Sequence, residues 1–119
     1  MIIIVEDSAF QRILLQKTLL KWGPKGFSTF EDFLKFMEAQ SPDQRKQIRA
    51  IVLDWFIGAE SAYEYGLLAR KLGVEAEIIL YTDADVSSDV LKRLVPCTAL
   101  PKKISRLVQH IERWKGTIS

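Results

Sequence analysis

Five polar side chains stand at or just beyond the carboxyl ends of short apolar runs in this sequence. Carboxylates that meet within a few ångströms repel one another and raise one another's pKa, unless a cation lies among them. Ligands that are all oxygen suit Mg²⁺, which keeps several waters, better than a soft transition metal. An ammonium and a hydroxyl group beside them would donate to anionic oxygens, which indicates a phosphoryl ligand. The five residues are Glu6, Asp7, Asp54, Thr82 and Lys102.

Asp54 is the predicted nucleophile of this set. It follows the wholly apolar run Ile51-Val52-Leu53, so we expect it on a rigid strand with its carboxylate pointing out of the sheet edge. A carboxylate that attacks phosphorus forms an acyl phosphate. The metal ion and Lys102 would neutralise charge on the transferring oxygens, so the task of the protein is mainly positioning and electrostatics.

Five short apolar runs alternate with longer segments of helical spacing, which predicts βα units that build a parallel sheet. The first, third and fourth runs are nearly continuous in Ile, Val and Leu, as in central strands that helices cover on both faces. The second and fifth runs are weaker, which is typical of edge strands. The runs span residues 2–5, 26–30, 50–53, 78–81 and 98–100.

Five segments between and after these runs are predicted helices. In the first, Ser8 is placed to cap the N-terminus and Trp22-Gly23-Pro24 to end the helix. Its stripe at helical spacing consists of Phe10, Ile13, Leu14, Lys17 and Leu20 with Lys21. The others span residues 31–40, which Ser41-Pro42-Asp43 is expected to break, 61–72, the segment between Ser88 and Pro96, and 104–115. The last has the most regular apolar face, formed by Ile104, Leu107, Val108, Ile111 and Trp114.

These units admit few topologies, because parallel crossovers are right-handed. The predicted fold class is α/β: a doubly wound, five-stranded parallel sheet of order 2-1-3-4-5, flavodoxin-like with (βα)₅ connectivity. In such open sheets, ligands bind beyond the carboxyl ends of the strands, at the switch point between the first and third strands. We therefore expect the polar side chains to meet at that edge.

Length and composition limit the classes of function. The 119 residues, of which 48% are hydrophobic and 27% charged, suit one folded domain over residues 1–119. A net charge of +2 is too small to indicate direct nucleic-acid binding. One Cys97 and one His110 provide neither an intrachain disulfide nor a zinc cluster. No apolar run reaches the ~20 residues of a membrane span, and the N-terminus lacks a secretory signal, so we expect a cytoplasmic protein.

The ordered motifs resemble the receiver domain of two-component response regulators, over essentially the whole chain. Each motif is weak alone, but their order on five βα units is fairly specific. The resemblance implies a signalling domain that turns over no external metabolite and catalyses only its own aspartyl phosphorylation and dephosphorylation. The motifs are Val5-Glu6-Asp7, Val52-Leu53-Asp54, Tyr81-Thr82 and Leu100-Pro101-Lys102.

The resemblance also implies roles and partners. Asp54 would accept phosphoryl from a sensor histidine kinase or a phosphotransfer protein. Glu6 and Asp7 would hold Mg²⁺, together with Asp54 and the backbone carbonyl of Phe56. Thr82 would be the switch hydroxyl that moves toward the phosphoryl group, and Lys102 the lysine that pairs with it. A downstream protein would bind the face formed by the fourth and fifth predicted helices, in the basic C-terminal third of the chain. Homodimerisation is a further expectation.

The run after Asp54, residues 55–62, lacks the usual Pro and Asp-Gly-like turn of the family, and three further residues depart from the family pattern near the switch. Asp83 replaces the usual small residue after the threonine, and it could narrow access to the site or repel an anionic donor. Ala99 replaces the aromatic residue of the usual relay, so any movement of Thr82 must be transmitted differently. Lys103 replaces a proline that is often cis, and we expect a trans bond there.

Phe56 and Ala84 offer no polar group to orient water, which predicts slow self-dephosphorylation.

Other functions remain open at this point. A degenerate receiver, used only for protein binding or dimerisation, is favoured by Asp83 and Ala99. A magnesium-dependent phosphohydrolase would want a second acid where Phe56 stands, and a cap domain. Flavin binding would want a phosphate loop rich in Gly, Ser and Thr, which Asp7-Ser8-Ala9-Phe10 is not. His110 is interpreted as a surface or boundary residue and Cys97 as an inert one.

Overall fold

The computed structural model describes residues 1–57 and 60–113, with the backbone alone for residues 56, 57, 60 and 61. Its strands are β1 Ile2–Val5, β2 Pro24–Phe27, β3 Ala50–Leu53, β4 Phe56–Ile57, β5 Glu60–Ser61, β6 Glu77–Tyr81 and β7 Cys97–Leu100. Its helices are α1 Ala9–Thr18, α2 Phe30–Ala39, α3 Pro42–Lys46, α4 Ala62–Lys71, α5 Ser88–Arg93 and α6 Ile104–Glu112, and a 3₁₀ turn spans Leu20–Trp22. None of the helices in these ranges is long and apolar enough to cross a membrane.

The main sheet is parallel throughout, with the spatial order β2-β1-β3-β6-β7. The predicted doubly wound order is confirmed, and the two weakest runs are the edge strands β2 and β7. β1 and β3 pair in register, with Val5 opposite Leu53. The residues that follow these two strands therefore leave the sheet side by side, at the switch point.

Helices cover both faces of the sheet, because alternate strand residues point to opposite sides. On one face, Ile3, Ile51 and Ile78 pack against α2, α4 and α5. On the other, Ile4, Val52 and Ile79 pack against α1 and α6. The central strands are consequently buried on both sides and supply a rigid base for the residues at their carboxyl ends. The residues of the helices and of their C-terminal caps that complete these two layers are Phe30, Phe33, Met37, Ala62, Ala69 and Leu94 on the first, and Leu15, Leu19, Leu107 and Ile111 on the second.

Side-chain caps fix where several helices begin. The hydroxyl of Ser8 accepts the N–H of Gln11, as its predicted capping role requires. The hydroxyl of Thr29 likewise accepts the N–H of Asp32, so α2 begins at Phe30. This cap explains why the second strand ends at Phe27, three residues before the predicted end of its run.

Three elements lie outside the predicted set, the helix α3 and the strands β4 and β5. The sequence predicts that Ser41 breaks the second helix, and the structure shows that Ser41 also caps α3, because Ser41 and Gln44 form a reciprocal capping box. β4 and β5 form a small antiparallel pair directly after the site strand β3. Of the predicted last helix, residues 104–112 are helical, while Trp114 and Lys115 lie outside the described residues.

The apolar stripe of α1 is largely exposed. Spacing alone would assign this stripe to the core, but Phe10 is 73% exposed and Ile13 is 50% exposed. The helix instead buries Leu15 and Leu19 against the sheet. An apolar surface therefore lies on α1, immediately after the acidic residues that end β1.

Candidate functional site

Three carboxylates meet at the switch point. One oxygen each from Glu6, Asp7 and Asp54 lies within 4.8 Å of the others. Glu6 is 3% exposed, the Asp54 side chain is 12% exposed, and Asp7 faces solvent. Glu6 and Asp7 follow β1, and Asp54 follows β3, so the in-register pairing of those strands produces the cluster. Glu6 and Asp54 are thus positioned by the buried strands that they follow, while Asp7 leaves the cluster open to solvent.

The ammonium of Lys102 lies against this cluster. Its Nζ is 3.2 Å from Oδ2 of Asp54 and 3.7 Å from Oε2 of Glu6. Burial lowers the pKa of Lys102, but the hydrogen bond to Asp54 and the charges of Asp54 and Glu6 outweigh burial and leave that pKa raised. The lysine is therefore held as a cation beside the predicted nucleophile.

Glu6 is the most buried acid of the cluster. Burial raises its pKa, the N–H of Ser8 bonded to its Oε1 at 3.2 Å opposes that effect, and the charge of Asp54 adds to it. Arg12 donates to the backbone carbonyl of Glu6 at 2.8 Å and so fixes the turn between β1 and α1. Burial and the neighbouring charge of Asp54 thus both disfavour the ionised form of Glu6.

The donor set of the cluster fits a hard divalent cation. It consists of carboxylate oxygens alone, and one of the carboxylates is open to solvent, so a small ion could retain waters there. Phe56 begins β4, two residues after Asp54. Its carbonyl remains a predicted fourth ligand.

Thr82 follows β6, the strand beside β3, and it is 9% exposed. Its main-chain N–H donates to the carbonyl of Leu100 at 2.9 Å. Its hydroxyl oxygen accepts the N–H of Ala84 at 3.1 Å. That bond uses a lone pair of the oxygen and leaves the hydroxyl proton able to donate to an anion.

The three residues that depart from the family pattern near the switch, Asp83, Ala99 and Lys103, lie in different surroundings. Asp83 is exposed, and its Oδ1 accepts the backbone N–H of Lys102 at 3.0 Å. Ala99 is exposed on β7. The cis peptide bond of the described chain is Val95–Pro96, so the bond between Lys102 and Lys103 is trans, as expected.

Sequence reasoning missed the bonds that support the site from loops. The Asp83 bond joins residues 19 apart, and the Arg12 bond reaches back six residues to a main-chain carbonyl. No spacing rule connects an aspartate to a distant main-chain N–H, so the only available signal was that Asp83 is unusual beside Thr82. The structure thus adds two positioning contacts to the predicted set.

His110 and Cys97 belong to a different part of the molecule. His110 Nε2 lies 2.7 Å from Oε1 of Glu77, at the opposite end of β6 from Thr82. Thr98 donates to the other carboxylate oxygen of Glu77 at 3.0 Å. Burial raises the pKa of the Cys97 thiol to about 11. Neither residue contributes to the acid cluster.

The chain is similar in fold to solved response regulator and chemotaxis proteins. The chain matches the response regulator TrrA of Thermotoga maritima, solved in complex with Mg²⁺-BeF, at 22% identity and a TM-score of 0.74, over 94% of this chain and 96% of that one. It matches the BeF₃-activated receiver domain of DrrB at 23% identity and a TM-score of 0.74, over 97% and 96% of the two chains. It matches the chemotaxis protein CheY4 of Vibrio cholerae at 14% identity and a TM-score of 0.73, over 94% and 95%.

No protein-family model and no curated protein matches the sequence. The structural likeness nevertheless extends over nearly the whole chain in each of the three comparisons. The strand order and the two helical layers agree with it. The fold of this chain is the fold of the response regulator receiver domains.

Proposed function

We propose that this chain is a phosphoryl-accepting signalling domain, in which Asp54 takes a phosphoryl group from a phosphohistidine donor in a reaction that depends on Mg²⁺. The observation that carries this proposal is the position of the Lys102 ammonium, 3.2 Å from Asp54 beside three clustered carboxylates. An acidic cluster alone is common, whereas a nucleophilic carboxylate with its own cation suits transfer of an anionic group.

The transfer step is a displacement at phosphorus. A carboxylate oxygen of Asp54 forms the new P–O bond as the P–N bond to the donor histidine breaks, and the electron pair of that bond returns to the imidazole nitrogen. The product is an acyl phosphate on Asp54 and a free histidine on the donor. Lys102 offsets charge on the phosphoryl oxygens, and the hydroxyl proton of Thr82 donates to one of them.

Mg²⁺ would be held by Glu6, Asp7, Asp54 and the carbonyl of Phe56, and it would supply positive charge to the transferring oxygens. The chain's own residues prepare that position. β1 and β3 fix two of the carboxylates, and the N–H of Ser8 orients the Glu6 side chain. The domain turns over no external metabolite in this proposal.

The exposed stripe on α1 is the surface on which we place the phosphodonor. This α1 surface consists of the exposed Phe10 and Ile13, the half-buried Leu14, and Leu20 of the following 3₁₀ turn, with Lys17 beside it. It begins three residues after Asp7, so a protein bound to it would hold its histidine near Asp54. We also propose that a downstream partner binds α5 and α6, which are the fourth and fifth predicted helices. A homodimer and a cytoplasmic location are further parts of the proposal.

The test is labelling by a small phosphodonor. Incubation with Mg²⁺ and acetyl phosphate should add the mass of one phosphoryl group to the wild-type chain, read by intact mass spectrometry. Asp54→Asn should abolish this gain, and Asp43→Asn, which removes an exposed acid on α3, should retain it. Absence of labelling in the wild type, or equal labelling in Asp54→Asn, would contradict the proposal.

Failure of that experiment would favour the degenerate scaffold, the second candidate function. The exposed Ala99 on β7 is the observation that favours it, because its methyl group cannot replace the aromatic ring of the usual relay. A scaffold should bind its partner equally well before and after treatment with beryllofluoride and Mg²⁺, whereas a switched domain should not.

A further inference from the structure

The loops that follow β6 and β7 are joined by a side chain. The N–H of Thr82 donates to the carbonyl of Leu100 and closes the main-chain pairing of the two strands. In a parallel ladder, the next rung would take the N–H of Lys102 to the carbonyl of Thr82. That N–H instead donates to Oδ1 of Asp83 at 3.0 Å. The Asp83 carboxylate therefore continues the contact between these segments beyond the strands.

This contact fixes the backbone from which the Lys102 side chain extends. The next N–H, that of Lys103, donates to the carbonyl of Pro101 at 2.7 Å, so the turn is held on both sides of Lys102. The Lys102 side chain is 34% exposed and has four rotatable bonds, which its surroundings restrain only in part. The position of its ammonium therefore depends on the position of its backbone.

We infer that Asp83 is a positioning residue for Lys102: its carboxylate holds the Lys102 N–H and so directs the ammonium to Asp54. The inference rests on the proposed function, in which that ammonium offsets charge during phosphoryl transfer. Asp83 acts through Lys102, and it acts as a hydrogen-bond acceptor whose negative charge is secondary. The sequence alone indicates that Asp83 would hinder an anionic donor, whereas in this inference Asp83 holds the backbone of Lys102 in position.

Two substitutions of Asp83 separate its role as a hydrogen-bond acceptor from its charge. Asp83→Ala removes both, and Asp83→Asn keeps an acceptor oxygen while removing the charge. Asp85→Ala removes an exposed acid from the same loop, two residues further on, and is the matched control. Lys102→Ala, alone and combined with Asp83→Ala, tests whether the effect passes through the lysine.

The first measurement needs neither metal nor phosphoryl group. Amide hydrogen exchange of Lys102, followed by NMR, should be about tenfold faster in Asp83→Ala than in the wild type, because the hydrogen bond to a charged acceptor is lost. Asp83→Asn should restore most of the protection, and Asp85→Ala should match the wild type. Carbon relaxation of the Lys102 methylenes should show a more mobile side chain in Asp83→Ala, but not in Asp83→Asn or Asp85→Ala.

The second measurement is the rate of labelling by acetyl phosphate with Mg²⁺. Asp83→Ala should lower it about tenfold, and Asp83→Asn should recover most of that loss. In the Lys102→Ala background, Asp83→Ala should cause no further decrease. An equal decrease in both backgrounds, or the same loss in Asp83→Asn as in Asp83→Ala, overturns the inference.

Failure of the proposed function gives a different pattern. If the wild type takes no label while the Lys102 amide and methylenes respond to Asp83→Ala as expected, then Asp83 positions Lys102 but the proposed function is wrong. If the amide and the methylenes are unchanged in Asp83→Ala, the inference itself is wrong, whatever the labelling shows.

Discussion

Cys97 shows how burial sets the reactivity of a single residue. It is the first residue of β7 and is partly buried, and burial raises the pKa of its thiol from 9.0 to about 11. The guanidinium of Arg70 opposes this effect and the charge of Glu77 adds to it, but burial is the largest cause. Because the thiolate is the reactive form, Cys97 is expected to be chemically inert in the folded chain.

We predict that iodoacetamide alkylates Cys97 in the folded protein about 100-fold more slowly than in the urea-unfolded protein at about pH 8, since a two-unit rise in pKa lowers the thiolate fraction by that factor. Mass spectrometry over time measures both rates. Equal rates in the folded and unfolded chains would show that burial does not hold the proton on this thiol.

The same shift predicts a dependence of stability on pH. Between about pH 9 and pH 11, the unfolded thiol loses its proton while the folded thiol keeps it, so the folded state binds more protons and its stability falls as pH rises. Urea denaturation at about pH 8 and about pH 10 should show a smaller loss of stability in Cys97→Ala than in the wild type. Identical losses would contradict the shift.

Arg70 joins four segments through one guanidinium. It extends from α4 and donates to the carbonyls of Val74 and Ala76 at 2.7 Å each, to Leu94 at 2.8 and 3.1 Å, and to Pro96 at 2.9 Å. These carbonyls lie in the loop before β6, at the end of α5 and in the turn before β7. The geometry of the last two βα units therefore depends on this side chain.

We predict that Arg70→Met lowers the free energy of unfolding by about 2–4 kcal/mol, because it leaves several partly buried carbonyls without their charged donor. Urea denaturation measures this loss. Arg93→Met, which removes an exposed arginine on α5 with one hydrogen bond to Tyr63, should cost less than about 1 kcal/mol. Equal losses in the two variants would show that the carbonyl contacts contribute little.

The α1 surface separates binding from folding. Phe10→Ser and Ile13→Ser alter exposed side chains, so we predict a change in stability below about 1 kcal/mol. Transfer from a phosphohistidine protein should fall about tenfold in these variants, while labelling by acetyl phosphate should be unchanged. Leu15→Ala, on the buried face of the same helix, should instead cost about 2–5 kcal/mol. A decrease in acetyl phosphate labelling would contradict the assignment of this surface to the donor.

The strands were predictable from the sequence because each central run is apolar enough to be buried on both faces. The face of α1 was not, because the helix carries two apolar stripes. Close packing against β2 selects which stripe is buried. A Cβ at Gly26 would lie 2.9 Å from Gln16 and 3.0 Å from Arg12, so this glycine allows the side of α1 that carries Arg12 and Gln16 to approach the sheet closely. Leu15 lies on the same side and is buried, whereas Phe10 and Ile13 remain outside.

At the scale of the whole molecule, the topology brings the site together. Carboxyl ends of parallel strands share one edge, so the sequence was enough to predict that Glu6, Asp54 and Lys102 would meet. It was not enough to predict the Asp83 contact, since that bond depends on the paths of two loops. Each strand is determined by a whole run of apolar residues, and right-handed crossovers limit the strand order, whereas a bond between loops is determined by a single side chain and its local geometry.

In the proposed function, metal binding at the acid cluster would stabilise the whole chain. Glu6, Asp7 and Asp54 are gathered only in the folded state, so Mg²⁺ should bind the folded chain in preference to the unfolded one. At about 100 times the dissociation constant, this preference stabilises the fold by about 2.7 kcal/mol. For a domain of this size, that corresponds to a rise in melting temperature of roughly 10 °C.

We predict such a rise in a thermal melt of the wild type with Mg²⁺, and its loss when EDTA is added. Asp7→Asn should abolish most of the rise, because it removes the exposed carboxylate of the cluster and leaves Glu6 and Asp54 in place. Asp85→Asn, an equal change of charge outside the cluster, should retain the rise. Equal rises in both variants would mean that Mg²⁺ stabilises the chain by screening its overall charge, since only a specific site distinguishes two exposed aspartates of the same molecule.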